Sequence, residues 1–580
     1  MNTRKAKDMF SMGRTRRYRQ TLFFTLVFGA FLSAFAGFVN RSYAEVTFDR
    51  YEVVTGSAKR QTILTGFLRG RATADLVVVH IDENDDRHMQ MYGFDGNAWV
   101  SVLDATLHPK VLFVDVANIG GRDRLITYEP GRLNWFDPES EMERILVAVT
   151  SNFKPPRENE IPHVDVTHDV NHDGREDLVV PDRNGFWVFI QMSDGTFGDA
   201  VKIGPTTDMS RIYGADGYRY DPWSQSRVHE IDYNQDGRTD LVFWNEDRFV
   251  VHTQDERGLF ARASETFTID EAFDSDDLSS LATGDMTGRV LHSLADLNGD
   301  GIGDLVISSL EGKLISRKRS SHEVHYGEPT PDGGTAFASE VGVSFQSDDR
   351  IQLGMDLHDF DGDGQMDVIL TTIEVRFLSN NPWKKWKAFW GDDIWLDLEF
   401  YREEGGLYPN EPNATRRIQL LGDSPSAPGW VPLDLVLRGG KHESRKTQVH
   451  PVLVGGFGAF TKDWRRLSEV SSKNYPPAFN RTLFIGDVTG DGRSDLLIEH
   501  TFRGLKVFAG VPGPGLFARR PQKVAVVVPN DEEYTWLVDL NKDGKQDILM
   551  HHPFTLRDKE GGRTQPLGTE PHRVTMLIAR

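Results

Sequence analysis

The chain has no cysteine in 580 residues, which excludes disulfide staples and thiolate zinc sites alike. Basic charge is short as well: 66 Lys and Arg stand against 87 Asp and Glu, a formal charge of −21. A surface of that sign repels phosphate backbones, so nucleic acid is excluded as a partner. Catalytic signatures are missing too. The sequence contains no H-E-x-x-H, no G-x-S-x-G and no phosphate-loop glycine–lysine pattern. KHESRKTQVH (441–450) spaces its histidines too widely for a helical zinc pair.

Only one long apolar run occurs, TLFFTLVFGAFLSAFAGFV (21–39), after basic residues from Arg4 to Arg19 and before Ser42-Tyr43-Ala44. It reads as a signal peptide over 1–44, cut after Ala44, or, given its length, as an uncleaved N-terminal anchor. The remainder is expected to be exported, to the periplasm, the cell surface or the extracellular space.

What the chain has in excess is aspartate, and it is patterned. The phrase D-x-[DNT]-x-D-G-x-x-D occurs six times, as DVNHDGRED (169–177), DYNQDGRTD (232–240), DLNGDGIGD (296–304), DFDGDGQMD (359–367), DVTGDGRSD (487–495) and DLNKDGKQD (539–547). Position 1 is Asp169, Asp232, Asp296, Asp359, Asp487 and Asp539. Position 3 is Asn171, Asn234, Asn298, Asp361, Thr489 and Asn541. Position 5 is Asp173, Asp236, Asp300, Asp363, Asp491 and Asp543, and position 9 is Asp177, Asp240, Asp304, Asp367, Asp495 and Asp547. Side chains at 1, 3 and 5 turn to one side of a tight loop, and glycine at 6 permits the positive φ that reverses the chain. Carboxylates crowded this way repel unless a cation sits between them, and hard oxygens in a flexible loop suit Ca²⁺. Thr489 makes the fifth copy the poorest in ligands.

The start of each phrase matches an EF-hand loop, but the last acid comes at position 9 and no Glu stands at 12. DLVVPD, DLVFWN, DLVISS, DVILTT, DLLIEH and DILMHH follow, which are β-rich runs rather than helix starts. Each phrase is therefore expected to join two strands.

The first four copies begin at 169, 232, 296 and 359, a period near 63. An aromatic marker travels with them: Phe197 and Phe260 each follow their first Asp by 28 residues, and Tyr326-Gly327 and Phe517 follow theirs by about 30. Strand, Asp loop, two further strands, aromatic turn and last strand make a four-stranded antiparallel unit, and repetition around a ring makes an all-β propeller.

The loop resembles that of the FG-GAP/VCBS repeat family, whose best-known relatives are integrin α-subunit heads, and the likeness runs over roughly residues 60 to 580. The family's "GAP" half is not recognisable. The resemblance implies about six Ca²⁺, held by side chains at positions 1, 3, 5 and 9. It adds the backbone carbonyl of position 7: Arg175, Arg238, Ile302, Gln365, Arg493 and Lys545.

Two weaker units extend the count. VDVANIGGRDRLITY (114–128) keeps Asp115, Gly120 and Asp123 but has Ala117 and Ile119 at ligand positions, so it reads as a metal-free blade. GFLRGRATADLVVVH (66–80) retains only Asp75. The total is eight blades, within a range of seven to nine, the ninth depending on PLDLVLRGG and VLVGGFGAF.

In the fourth copy the marker, Tyr408, comes 49 residues after Asp359, so a short helical insertion is expected at 380–401. Its Trp383, Trp386, Phe389 and Trp390, with Lys384, Lys385 and Lys387, suit either a flap packed on the propeller or contact with a membrane surface or partner. YGADGYRYDPW (213–223) carries rings that either anchor a loop or stack on sugars.

The expected function is a binding or adhesion scaffold for a protein or carbohydrate ligand. A secreted enzyme acting on polysaccharide and a structural subunit of a cell-envelope assembly are the alternatives.

Overall fold

The second strand of each repeat carries an unbroken apolar run, such as Leu178-Val179-Val180 or Val368-Ile369-Leu370, which suits a strand covered on both faces. Blades standing side by side around an axis supply that cover. The structure, a computed structural model, describes residues 46–580 except 59, 155–159, 205–218, 224–225, 271–272, 274–287, 312–318, 348–349, 375–394, 420–482, 500–503, 514, 530–534 and 553–570. Its described strands form eight antiparallel four-stranded sheets arranged as a β-propeller, and there is no helix among the described residues.

In chain order, blades 1 to 7 span 62–106, 113–149, 167–203, 228–267, 288–347, 350–419 and 483–524. Blade 8 takes three strands from the C-terminal end, Thr535–Val538, Asp547–His552 and His572–Ala579. Its fourth strand is Phe48–Gly56, paired antiparallel from Phe48↔Ala579 to Gly56↔His572. The two ends of the described chain thus close the ring. In each blade the first strand lies towards the axis and the fourth on the rim, where Val54, Val100, Val102, Met142 and Ile145 are exposed.

The core lies between blades. Leu178 and Val180 of blade 3 pack with Ile126, Tyr128 and Leu133 of blade 2. Val179, one residue along, points the other way, to Leu241 and Phe243 of blade 4. Blades 8 and 1 meet through Val53, Trp536, Leu549 and Met576 against Ile63, Leu76 and Val78. Each second strand therefore serves two interfaces, which is why its sequence does not alternate.

Blade 2 has two further strands on its inner edge. His163–Val164 pairs in parallel with Phe113–Ile119, and Arg219–Tyr220 pairs in parallel with His163–Val164. Asp115, retained in this blade, is buried and holds the addition: its carboxylate meets His163 Nε2 at 2.8 Å and accepts the Val166 N–H at 2.9 Å. Tyr220 and Trp223 are buried core, so these two rings of the 213–223 segment anchor the chain; Tyr213 and Tyr218 lie outside the described residues.

Trp395–Tyr401, the end of the expected insertion, is the third strand of blade 6, paired with Asp367–Glu374 and Ala414–Gln419. Any insertion in this blade ends before residue 395. Trp383, Trp386, Phe389, Trp390 and their lysines lie outside the described residues, as do 1–44, PLDLVLRGG and VLVGGFGAF.

Ring closure can be tested at neighbouring residues of the closing strand. Val53 is buried against the interface with blade 1, whereas Val54 is 61% exposed. Val53→Asp should lower unfolding free energy by about 3 kcal/mol or more, by burying an uncompensated charge. Val54→Asp should stay within about 0.5 kcal/mol. Denaturant melts of both variants check the pair.

Candidate metal loops

All six aspartate loops join a first strand to a second strand, in blades 3 to 8, so they share one end of the ring. Their backbones repeat. Position 6 is a left-handed glycine in every copy, from φ 81° at Gly237 and Gly492 to φ 88° at Gly364. Position 4 is left-handed too, at His172, Gln235, Gly299, Gly362, Gly490 and Lys542.

The side chains shape each loop from inside. Asp169 accepts the backbone N–H groups of Asp173 (3.0 Å) and Gly174 (2.9 Å). The same two bonds form at Asp232, Asp296, Asp359 and Asp487. Asp539 instead accepts from Lys542 and Gly544. Position 5 accepts the N–H of position 7 in all six copies.

Position 9 has a structural task. Asp177, Asp240, Asp304, Asp367, Asp495 and Asp547 have no solvent exposure. One oxygen accepts the N–H of position 2, as from Leu297 to Asp304 at 2.8 Å. The other accepts an N–H at or just beyond the end of the third strand, as from Gly327 to Asp304 at 2.8 Å. Carboxylate oxygens have about four lone-pair sites between them, so these two bonds leave room for a cation.

Burial pushes all six position-9 carboxyls up: Asp177 to about 8, Asp367 and Asp547 to about 7, and Asp240, Asp304 and Asp495 to about 6. Loop carboxylates add to the effect, as Asp173 and Asp169 do at Asp177.

One loop contains an orphan. In blade 6, ligand oxygens of Asp359, Asp361 and Asp367 lie within 4.8 Å of one another. Asp361 Oδ1 is buried there with no hydrogen-bond partner, while Asp361 Oδ2 meets Arg402 Nε at 2.7 Å. Three other loops place a guanidinium beside position 5: Arg175 with Asp173, Arg238 with Asp236, and Arg493 with Asp491 at 3.0 Å. The loop of blade 5 has Ile302 at position 7 and no basic residue within it.

The two weaker units resolve differently. Asp75 opens the second strand of blade 1 and is held by Arg69, through Nε at 2.8 Å and its backbone N–H at 3.0 Å. Blade 2 replaces the loop by the two-residue turn Gly120-Gly121, both left-handed.

Position 4, which varies freely in sequence, faces the next blade every time. His172 pairs with Glu230 of blade 4 at 3.0 Å, and Gln235 donates to the Gly334 carbonyl of blade 5 at 3.1 Å. A Cβ at Gly299 would meet Gln365 of blade 6, one at Gly362 would meet Gly492 of blade 7, and one at Gly490 would meet Lys545 of blade 8. Lys542 lies over the Phe67 ring of blade 1 at 4.0 Å. Only contact across blades reveals this role, and no feature within a single loop signals it. The aromatic markers join the same belt: the Tyr408 hydroxyl sits 3.0 Å from the Leu297 carbonyl and 2.6 Å from that of Met366.

A second cluster abuts the loop of blade 3, since His168 directly precedes Asp169. Asp165, His168 and Asp221 bring ligand atoms within 4.8 Å of one another beside the inner edge of blade 2. Burial alone would lower the His168 imidazole, but Asp221, Asp165 and Glu230 outweigh it and lift it to about 9. Burial, with Asp115 next, pushes Asp165 up to about 6.

No family model matches the chain, and no curated protein matches it. Solved structures do. A lectin from Agrocybe aegerita, described as recognising non-reducing terminal N-acetylglucosamine, is 13% identical over 83% of this chain and 94% of its own, with a TM-score of 0.36. The biofilm matrix protein Bap1 of V. cholerae is 10% identical over 92% of this chain and 91% of its own, TM-score 0.33. The Dos1 propeller is 9% identical over 92% and 95%, TM-score 0.32.

Two predictions follow the loop geometry. A Cβ at Gly362 would sit 2.4 Å from the Gly492 carbonyl oxygen, whereas at Gly364 nothing lies within 4 Å. Gly364→Ala should cost about 1–2 kcal/mol of left-handed strain, and Gly362→Ala about 1–3 kcal/mol more from overpacking. Denaturant melts rank the two.

The raised position-9 carboxyls mean that the folded state holds protons more tightly than the unfolded chain. Stability therefore falls as pH rises from the ordinary carboxyl range near 4 through about 8, and levels off above. Thermal melts in calcium-free buffer should show this decline, and saturating Ca²⁺ should flatten it.

Proposed function

We propose that the protein is an exported, calcium-binding β-propeller of the FG-GAP/VCBS kind, holding about six Ca²⁺ and serving as a binding or adhesion scaffold for a protein or carbohydrate ligand. The observation that carries the metal half is Asp361 Oδ1, buried without a partner among the oxygens of Asp359 and Asp367. A carboxylate oxygen in that position calls for a cation. All-oxygen donors around left-handed turns suit Ca²⁺ over softer ions. The side chains of positions 1, 3, 5 and 9 would hold it. Bound Ca²⁺ supplies positive charge among the loop carboxylates. The chain's own residues do the rest: position 9 ties the blade together, and position 4 meets the next blade.

The scaffold half is supported by the uneven spacing of the blades along the sequence. The stretches separating consecutive blades differ widely in length, from two residues between Ser347 and Arg350 to 63 between Gln419 and Leu483. Unequal connections on a rigid frame are where recognition residues concentrate.

Calorimetry on the calcium-free protein should find about six Ca²⁺, and chelation should lower the melting temperature. Each site, at free Ca²⁺ a hundredfold above its Kd, adds about 2.7 kcal/mol. Asp300→Ala should therefore forfeit about that much in Ca²⁺ and less in chelator, where the lost hydrogen bond from the Ile302 N–H is offset by removal of a repelling charge. A chelator-insensitive melt sinks the calcium reading. A glycan array and a pull-down, each run with and without Ca²⁺, test the scaffold reading, which fails if neither yields a ligand.

A further inference from the structure

The cluster beside the inner edge of blade 2 is chemically unlike the six loops, because one of its three members is an imidazole. His168 ends the first strand of blade 3, Asp165 lies just before that strand, and Asp221 directly follows the added strand Arg219–Tyr220. The three side chains are about a quarter exposed or less. His168 Nε2 itself is buried, and it makes no aligned hydrogen bond although carboxylates surround it. It stands 3.4 Å from Asp221 Oδ1 and 4.0 Å from Asp165 Oδ1. Both separations are too long for a good hydrogen bond. The 3.4 Å separation matches two neighbouring ligands of one ion, since donors bound at about 2.0–2.1 Å in tetrahedral geometry stand about 3.3–3.4 Å apart. The Asp165 oxygen, at 4.0 Å, closes to that spacing by a shift of about half an ångström.

The surroundings hold these donors in place. Asp165 Oδ1 accepts the Thr167 N–H at 3.1 Å, and the Asp165 N–H donates to the Tyr220 carbonyl at 2.7 Å. Asp221 is fixed by its neighbour Tyr220, which is buried and paired in the added strand. Trp223, also buried, lies 6.2 Å from the His168 ring, and its indole N–H donates to Glu230 at 3.1 Å. The other Glu230 oxygen meets His172. Glu230 thus supports the wall, bound to both Trp223 and His172. Such outer partners are what orient metal ligands.

We propose that Asp165, His168 and Asp221 form a site for a borderline divalent transition-metal ion of the Zn²⁺ class, separate from the calcium loops. Imidazole nitrogen with two carboxylates favours such an ion over Ca²⁺. The two carboxylates balance its charge, and three protein donors leave a coordination position for water or for an incoming oxygen ligand.

The test uses the full protein with Ca²⁺ saturating throughout, so that its outcome is independent of the six loops. Titration with Co²⁺ should fill one site, with visible d–d absorption that Zn²⁺ then abolishes. His168→Gln and Asp221→Asn should each weaken Co²⁺ binding by about tenfold or more. His108→Gln, where the imidazole meets the single carboxylate of Glu129 at 3.0 Å, should leave it unchanged. Less than one equivalent bound by the unmodified protein overturns the proposal, as does undiminished binding in both site variants. In either case His168 acts only as a protonated counterion to its two carboxylates. Because the unmodified protein alone can refute the site, a variant that fails to fold does not rescue it.

Discussion

In six blades the second strand begins with an aspartate that solvent does not reach, and each of those carboxylates binds two peptide N–H groups from different parts of its blade. One group thereby fixes the start of the loop, the start of the second strand and the end of the third. The arrangement has an electrostatic cost. Burial disfavours the charged form, and two or three further carboxylates lie within the same nine residues. Positive charge must come from somewhere. The two blades without the full pattern show other solutions: Arg69 supplies its guanidinium to Asp75, and blade 2 dispenses with the loop through Gly120-Gly121.

The step from loop to ring runs through position 4. Because that residue always meets the following blade, the geometry of one loop constrains its neighbour, from His172 in blade 3 round to Lys542 and Phe67 in blade 1. A chain without disulfides has few ways to hold a closed ring against its own net negative charge. This belt at one end, the apolar interfaces between blades, and the pairing of Phe48–Gly56 with His572–Ala579 are the ones available here.

The loops and the blade count were legible in sequence because their physics is local. A left-handed glycine among alternating aspartates leaves the same trace wherever it occurs, and the 63-residue spacing marks the repeat. What was not legible depends on partners far along the chain. The run Phe48–Gly56 looks like any strand, and only its pairing with Ala579 makes it the closing one. Asp304 reads as a ligand, yet hydrogen-bond acceptance and metal ligation draw on the same carboxylate, so its clamp on Gly327 leaves no separate mark. The late Tyr408 announced extra residues in blade 6 without saying where they end, and WLDLEFY proved to be strand. Asp221 stands 53 residues from His168; nothing short of the added strands inside blade 2 brings them together.

The loops are alike in backbone but not in counterion. Arg175, Arg238 and Arg493 lean on their own position-5 carboxylates, and Arg402 reaches the blade 6 loop from the end of the third strand. A guanidinium and a calcium ion draw on the same oxygens, but only the first is tethered. Where an arginine is already in place, a bound ion must displace it or share with it, and the gain on binding is reduced. The loop of blade 5, with Ile302 at position 7, has no basic residue for an ion to displace and so the most to gain. On the calcium reading the six sites are therefore graded rather than equivalent: arginine keeps part of the ring formed when calcium is scarce, and blade 5 is where the metal matters most.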